Sequence, residues 1–241
     1  VDRISQTVRP DGRPQGFQRW RKVLFLHWEL PVETIQKSLP PGLDVDTFEG
    51  RAFVGVVPFT MQDVAPWWSP SVPGVSNFHE LNVRTYVHRN GRDPAVWFYS
   101  LEAASSTAVL VACAFWHLPY YRASMRLVTA GAEVSYSSRR WWPEPQPAEL
   151  VARYQIGELV GPSLPGTLEH FLCERYLLYA KRDDALFVGQ VHHKPYSVHR
   201  ARLLELRESM VIAAGLPAPE GDPLAHYAPG VDVDVFALRK V

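Results

Sequence analysis

Lysine is scarce in this chain. Only Lys22, Lys37, Lys181, Lys194 and Lys240 occur, and every other basic residue except histidine is an arginine. Arginine holds planar carboxylates better than lysine does, and genomic base composition gives the same bias. Cysteine is scarcer still. Cys113 and Cys173 sit in apolar surroundings, VACAF and EHFLCERY, with no CxxC pair. They read as two buried thiols in a reducing compartment. Charge of one sign is not in excess: 25 Lys and Arg face 25 Asp and Glu, which speaks against the basic footprint of a nucleic-acid partner. The most apolar run, AVLVACAFW, is far below the roughly 20 residues of a membrane span, and the polar start, VDRISQTVRPDGRPQGF, lacks an apolar signal core. A cytoplasmic protein without a membrane partner is expected. Neither GxGxxG nor GxxxxGK is present, so no nucleotide cofactor is expected.

Apolar residues are plentiful, 46% of 241. That suffices for one domain burying about 70–75% of its unfolded surface. Residues 1–19 read as a loose N-terminal arm, mixing charge with Pro10, Gly12, Pro14 and Gly16; residues 20–241 read as a single domain. RWRKVLFLHWEL is apolar on both faces of a period-two pattern, which predicts a buried strand. Its His27 is either a hydrogen-bonded core imidazole or a catalytic group. PVETIQKSLP predicts a short helix opened by Pro31. Hairpins are predicted around Glu49-Gly50, Asn90-Gly91, Gly131 and Asp183-Asp184, and Pro58 marks an edge or a bulge. ASSTAVLVACAFWHL predicts a buried helix, and residues 163–172 a short one entered near Thr167. SVHRARLLELRESMVIAAG predicts the longest helix, with Leu203, Leu206, Met210 and Ala214 on one stripe and Gly215 at its end. AHYAP and VDVDVFAL predict a closing strand pair. Many strands with a few inserted helices, not in βαβ alternation, predict an α+β, mostly β fold. Its form is a closed or partly open antiparallel β-barrel with a few peripheral helices.

The stretch richest in chemistry is SNFHELNVRTYVH, residues 76–88. Read with a period of two, it puts Glu80, Asn82, Arg84, Tyr86 and His88 on one face and Leu81, Val83, Thr85 and Val87 on the other. A row of carboxylate, carboxamide, guanidinium and phenol suits the lining of a barrel or cleft; it also suits a structural ladder of ion pairs. Two breaks carry paired tryptophans, Trp67-Trp68 and Trp141-Trp142. The first pair forms either a lid or partner contact, or a cover over the open end of the core. His192 and His193 are adjacent and so alternate across a strand, which argues against a shared metal ion.

FLHW, VDTFEG with VGVVPF, FHELNVRTYV, SLEA followed by LPYYRA, GTLEHFLCERYLLY and VHHKPY occur in this order. Together they resemble the YqjF-like family of uncharacterised proteins in the acetoacetate decarboxylase-like superfamily. The resemblance runs from about Trp20 to the C-terminus. It implies an antiparallel barrel with a central pocket, and assembly into a homo-oligomer. It also implies oxo-acid ligands. The decarboxylases use a lysine of a Gly-x-Pro-Lys-Lys motif as Schiff-base nucleophile. The matching stretch here is Leu118-Pro119-Tyr120-Tyr121, with tyrosine at both lysine positions. A phenol forms no imine. Lys194, in VHHKPY, is the remaining candidate nucleophile, or a solvated lysine beside a turn.

Without that lysine, Glu80 is expected as a general acid or base, Arg84 as a bidentate clamp on a carboxylate, and Tyr121 as a third catalytic group. Asn82, Tyr86, Tyr120, Arg175 and His193 are assigned to substrate; of the alternating pair Arg175 and Tyr176, only one can face the pocket. The expected function is binding of a small oxo-acid or carbonyl compound, with cofactor-free lyase or isomerase chemistry. A non-catalytic small-ligand binder is the alternative.

Overall fold

The computed structural model describes residues 1–72, 75–105, 118–143 and 148–241. Among them are thirteen strands in one sheet: β1 (Gly16–Leu30), β2 (Asp44–Val45), β3 (Ala52–Pro66), β4 (Phe78–Arg89), β5 (Arg92–Ala103), β6 (Tyr120–Ala130), β7 (Glu133–Trp142), β8 (Glu149–Pro162), β9 (Leu177–Arg182), β10 (Ala185–His193), β11 (Ser197–Glu208), β12 (Leu224–Val235) and β13 (Arg239–Lys240). The described α-helices are short: α1 (Val32–Ser38), α2 (Leu168–Cys173) and α3 (Met210–Ala213). The predicted helix over residues 104–118 and Cys113 fall largely outside the described residues.

The sheet closes on itself around a shared wall, β12–β1–β3–β4–β5. β9 and β10 join the wall's two edges on one side; β6, β7, β8 and β11 join them on the other. The wall is therefore covered on both faces, and its strands read as near-continuous apolar runs. Alternation sorts the side chains. Leu24, Leu26, Val54, Val56, Leu81 and Val83 enter a core completed by Tyr136, Leu150 and Tyr154. Val23, Phe25, Val57, Phe59 and Tyr86 enter a second core, completed by Phe171 and Leu172 of α2.

The joins are short. β5 meets β9 over two residue pairs and β6 over three, both parallel. β12 meets β10 over three pairs and β11 over two. The barrel is thus only partly closed, and its antiparallel order is interrupted at β5.

Local sequence explains much of this. Asn90 and Gly91 both take positive φ, at 52° and 74°, and turn β4 into β5. Thr167 caps α2 by accepting the His170 amide proton. The Glu49-Gly50 turn forms, but closes only a bridge between Phe48 and Arg51, because β2 pairs with β4 and not with β3. Pro58 lies on a central strand. The irregularity it signals sits in the facing strand, where the β1–β3 register slips between Arg21 and Leu26 and Lys22 takes φ 53°.

Three expectations are corrected. The longest predicted helix is a strand through Glu208, paired with β8 along its length, and only Met210–Ala213 is helical. A bulge between Leu203 and Glu205 moves the buried side from odd to even positions, so Ala201, Leu203 and Leu206 mimic a helical stripe. The closing strand pair is one strand, β12, kinked at Gly230, where φ is 137° and a Cβ would lie 2.0 Å from the Trp20 carbonyl oxygen. The segment expected as a loose arm through residue 19 gives way to β1 at Gly16, and Arg3 and Arg9 tie it to Asp46 and Asp234.

Candidate functional site

The second core is hollow. A cavity of about 870 Å³ lies against the wall, inside the ring completed by β9 and β10. α2 packs across one end of it, contributing Cys173 and, just after the helix, Arg175. Trp67 and Trp68 stand at the other end, 44% and 70% exposed. Phe25, Phe59, Met61, Phe78 and Phe98 make much of the surface between.

The polar face of β4 supplies the exceptions. Glu80, Asn82 and Arg84 all line the cavity, and all are buried. They do not neutralise one another. Among the described residues no carboxylate lies within ion-pair distance of Arg84, and Glu80 has no cationic partner. The structural-ladder reading of this strand therefore does not hold. Instead Tyr120 donates a hydrogen bond of 3.0 Å to Glu80 Oε2. Burial pushes the Glu80 carboxyl up to about 8; the Tyr120 bond opposes the rise and the charge of Glu102 adds to it. Asn82 Oδ1 and Arg84 Nε are buried and find no hydrogen-bond partner among the described residues. Each such group costs about 1–3 kcal/mol when left unsatisfied. Stability alone gives no reason to keep two of them beside a buried acid.

Arg84 is aimed by its surroundings. Its Nη2 donates to the Leu172 carbonyl oxygen at 3.0 Å and approaches the Tyr86 hydroxyl at 3.4 Å. Gly55 makes room for the neighbouring His27 ring: a Cβ there would lie 2.9 Å from His27 Cδ2, while at 3.5 Å from Arg84 Cγ it would make ordinary contact. Tyr86 donates its proton to the same Leu172 carbonyl at 2.5 Å, so the contact of 2.6 Å with His27 Nε2 places the imidazole proton on Nε2. Burial, and then the nearby Arg84 charge, hold His27 well below the usual imidazole range. It is a neutral, hydrogen-bonded core histidine, the first of its two predicted readings. Arg175 lines the cavity but is held by Asp46, with Nη2 3.2 Å from Oδ2, and its guanidinium lies over the Tyr86 and Phe171 rings. Burial draws its pKa down to about 10, against the pull of Asp46. Asp46 also pairs with Arg3, so the N-terminal segment braces this end of the barrel.

Other assigned residues fall elsewhere. Tyr121 faces the opposite side of the wall: it pairs with Glu102 across the β5–β6 join, and its ring lies 3.7 Å from the Arg140 guanidinium. Strand alternation allows one of two adjacent tyrosines into the cavity, and it admits Tyr120. Tyr86 sits behind Arg84, not on the cavity surface. His193 is set back behind Trp20 and Tyr196, stacked on Tyr176 at 4.5 Å, and burial lowers it to about 4. None of the five lysines lines the cavity, and Lys194 is exposed. Sequence reading missed Gly55, Asp46 and Cys173. Gly55 lies in the quoted VGVVPF segment, but its role shows only when β1, β3 and β4 are side by side.

The chain matches the DUF2071 family, described as an uncharacterized conserved protein, over residues 17–232. It is 35% identical over 231 residues to the uncharacterized protein YqjF of Bacillus subtilis (strain 168), covering 96% of this chain and 94% of that one. Among solved structures it resembles the enduracididine biosynthesis enzyme MppR complexed with pyruvate, with TM-score 0.66 and 13% identity, covering 95% of this chain and 91% of that one. It also resembles the acetoacetate decarboxylase of Legionella pneumophila subsp. pneumophila str. Philadelphia 1, with TM-score 0.63 and 11% identity, covering 98% and 94%. At such identities the two structural likenesses establish the fold. No described helix is long and apolar enough to cross a membrane.

Proposed function

This chain belongs to the DUF2071 family of uncharacterised, YqjF-like proteins, on an acetoacetate decarboxylase-like fold, and from that premise we propose that its cavity binds a carbonyl-containing carboxylic acid and moves a proton beside the carbonyl. The observation that carries this reading is the pairing of two unneutralised groups, Glu80 and Arg84, in one buried cavity. Arg84 takes the ligand carboxylate, since a buried guanidinium with a free Nε edge offers a charge-assisted, planar fork. Glu80 is the acid and base. Near neutral pH it is mostly protonated and donates to the carbonyl oxygen; ionised, it removes a proton from the carbon beside that carbonyl. The electron pair left on carbon moves into the C=O, giving an enolate whose oxygen takes the Tyr120 O–H as Glu80, now protonated, gives it up. Asn82 Oδ1 offers an acceptor to a ligand O–H or N–H.

No lysine faces the cavity, so this chemistry runs without a Schiff base. A relative of the same fold is described as complexed with pyruvate, which supports an oxo-acid ligand by analogy of fold. The buried, free Cys173 suits a reducing, cytoplasmic setting. Binding without turnover is the second reading, favoured by the largely apolar lining.

The test is solvent deuterium exchange, followed by proton NMR, beside the carbonyl of oxo-acids with three to ten carbons. Exchange above the blank, falling about 10²-fold or more in Glu80→Gln, is expected. Binding without any exchange would leave only the second reading.

A further inference from the structure

The cavity is larger than a small oxo-acid needs. About 870 Å³ lies near the upper end of the roughly 300–1,000 Å³ range of ligand sites. Its polar groups also occupy two separate stations. The Arg84 guanidinium is held toward α2 by the Leu172 carbonyl and the Tyr86 hydroxyl. The Glu80 carboxyl meets Tyr120 of β6, and its shift comes from burial, Tyr120 and Glu102, with no contribution from Arg84. Four residues of strand separate them, about 13 Å at ~3.3 Å per residue. Subtracting a hydrogen bond of about 2.9 Å at each station leaves roughly 7 Å. An extended chain covers that in about six bonds. Beyond Glu80 the surface is mostly apolar, with Gln15, Gln18 and Ser76 the polar residues among its lining. Phe59 pairs with Glu80 across β3 and β4, and Met61 with Phe78, two residues nearer the mouth. There the Trp67 ring is covered by the Arg13 guanidinium at 3.5 Å, and the Trp67 amide donates to the Gln15 carbonyl at 3.0 Å. The mouth is thus a built aromatic wall.

We propose that the occupant is an elongated, medium-chain oxo-acid, with its carboxylate at Arg84, its carbonyl several bonds away at Glu80 and Tyr120, and its apolar tail running past Phe59 and Met61 to Trp67 and Trp68. This rests on the reading of the cavity as a carbonyl-acid site and names the length and polarity of its ligand. A 2-oxo-acid, with adjacent carboxylate and carbonyl, reaches one station only. A carbonyl near the sixth carbon reaches both, and each further methylene that leaves water adds about fourfold in affinity.

The experiment is calorimetric titration of pyruvate, 2-oxodecanoate, 6-oxodecanoate and decanoate into the full chain, its Trp68→Ala variant and its Glu80→Gln variant. The proposal expects 6-oxodecanoate to bind about tenfold tighter than 2-oxodecanoate and at least about a hundredfold tighter than pyruvate. Trp68→Ala should weaken the ten-carbon acids several-fold and leave pyruvate unchanged. Glu80→Gln should shrink the advantage of 6-oxodecanoate over decanoate. Pyruvate binding as tightly as either ten-carbon oxo-acid would overturn the elongated ligand while leaving the carbonyl-acid reading intact. Decanoate matching 6-oxodecanoate in the wild type would overturn the carbonyl-acid reading itself, and the absence of binding by all four acids would overturn both.

Discussion

Two buried carboxylates lie on opposite faces of one wall. Glu102 sits across from Leu81 and Glu80 across from Ala103, so adjacent rungs of the β4–β5 ladder send them to different sides. Glu102 is enclosed. Arg140 gives it both Nε and Nη2, Ser100 adds a third donor, and the Tyr121 ring packs against the guanidinium. Among the described residues the Glu80 carboxyl accepts one hydrogen bond, from the Tyr120 hydroxyl at 3.0 Å, and otherwise faces the cavity. Burial without a counter-charge is costly, and folds normally pair or remove such groups. The Glu102 side shows this sequence building a satisfied ion pair. The Glu80 side shows an acid, an amide and a guanidinium left open in the same sheet, and that contrast supports the proposal that the cavity is the functional face.

The largest expected effect tests the openness of Glu80. Its folded pKa is raised from 4.5 to about 8, so between these values the folded state keeps a proton that the unfolded state has lost. Stability should therefore fall as pH rises through this window and level off above it. Relative to Glu80→Gln, the loss should approach about 4–5 kcal/mol, read from urea unfolding at several pH values. A difference between the two proteins that stays constant with pH would break the comparison. On the closed face, Arg140→Met strands Glu102 and should cost about 3–4 kcal/mol in the same assay. The matching substitution on the open face, Arg84→Met, should change stability by no more than about 1 kcal/mol, because Tyr86 already donates to Leu172 and no carboxylate is abandoned. Tyr120→Phe should cost about 1 kcal/mol and move the Glu80 titration upward, whereas Tyr121→Phe should leave that titration in place. The smallest effect is none: borohydride added with pyruvate or acetoacetate should give no lysine adduct by intact mass, since neither Tyr120 nor Tyr121 forms an imine and no lysine faces the cavity.

Much of the fold was legible because local rules and global pairing agree. Asn90-Gly91, Gly131 and Asp183 turn the chain where their conformational freedom suggests. The alternation of residues 80–86 gave the correct inward face of β4, since one strand's period needs no knowledge of its neighbours. What failed depended on partners. Ser197–Glu208 carries a helical stripe made by bulges, and only its pairing with β8 reveals the strand. LPYY has no phase of its own; the parallel join, Leu101 to Tyr120, decides which tyrosine enters the cavity. The openness of Glu80 was equally hidden, because Glu80 and Arg84 share a face and sequence alone does not say that Arg84 is turned toward α2.

The most direct measurement is a carbon-13 NMR titration of the glutamate side-chain carboxyls, with the Glu80 signal assigned by its loss in Glu80→Gln. The account predicts a midpoint near 8 for Glu80. A midpoint in the ordinary carboxylate range, about 4–4.5, would mean that Glu80 is solvated or paired, and would contradict the claim that it stands open as the acid of a buried site.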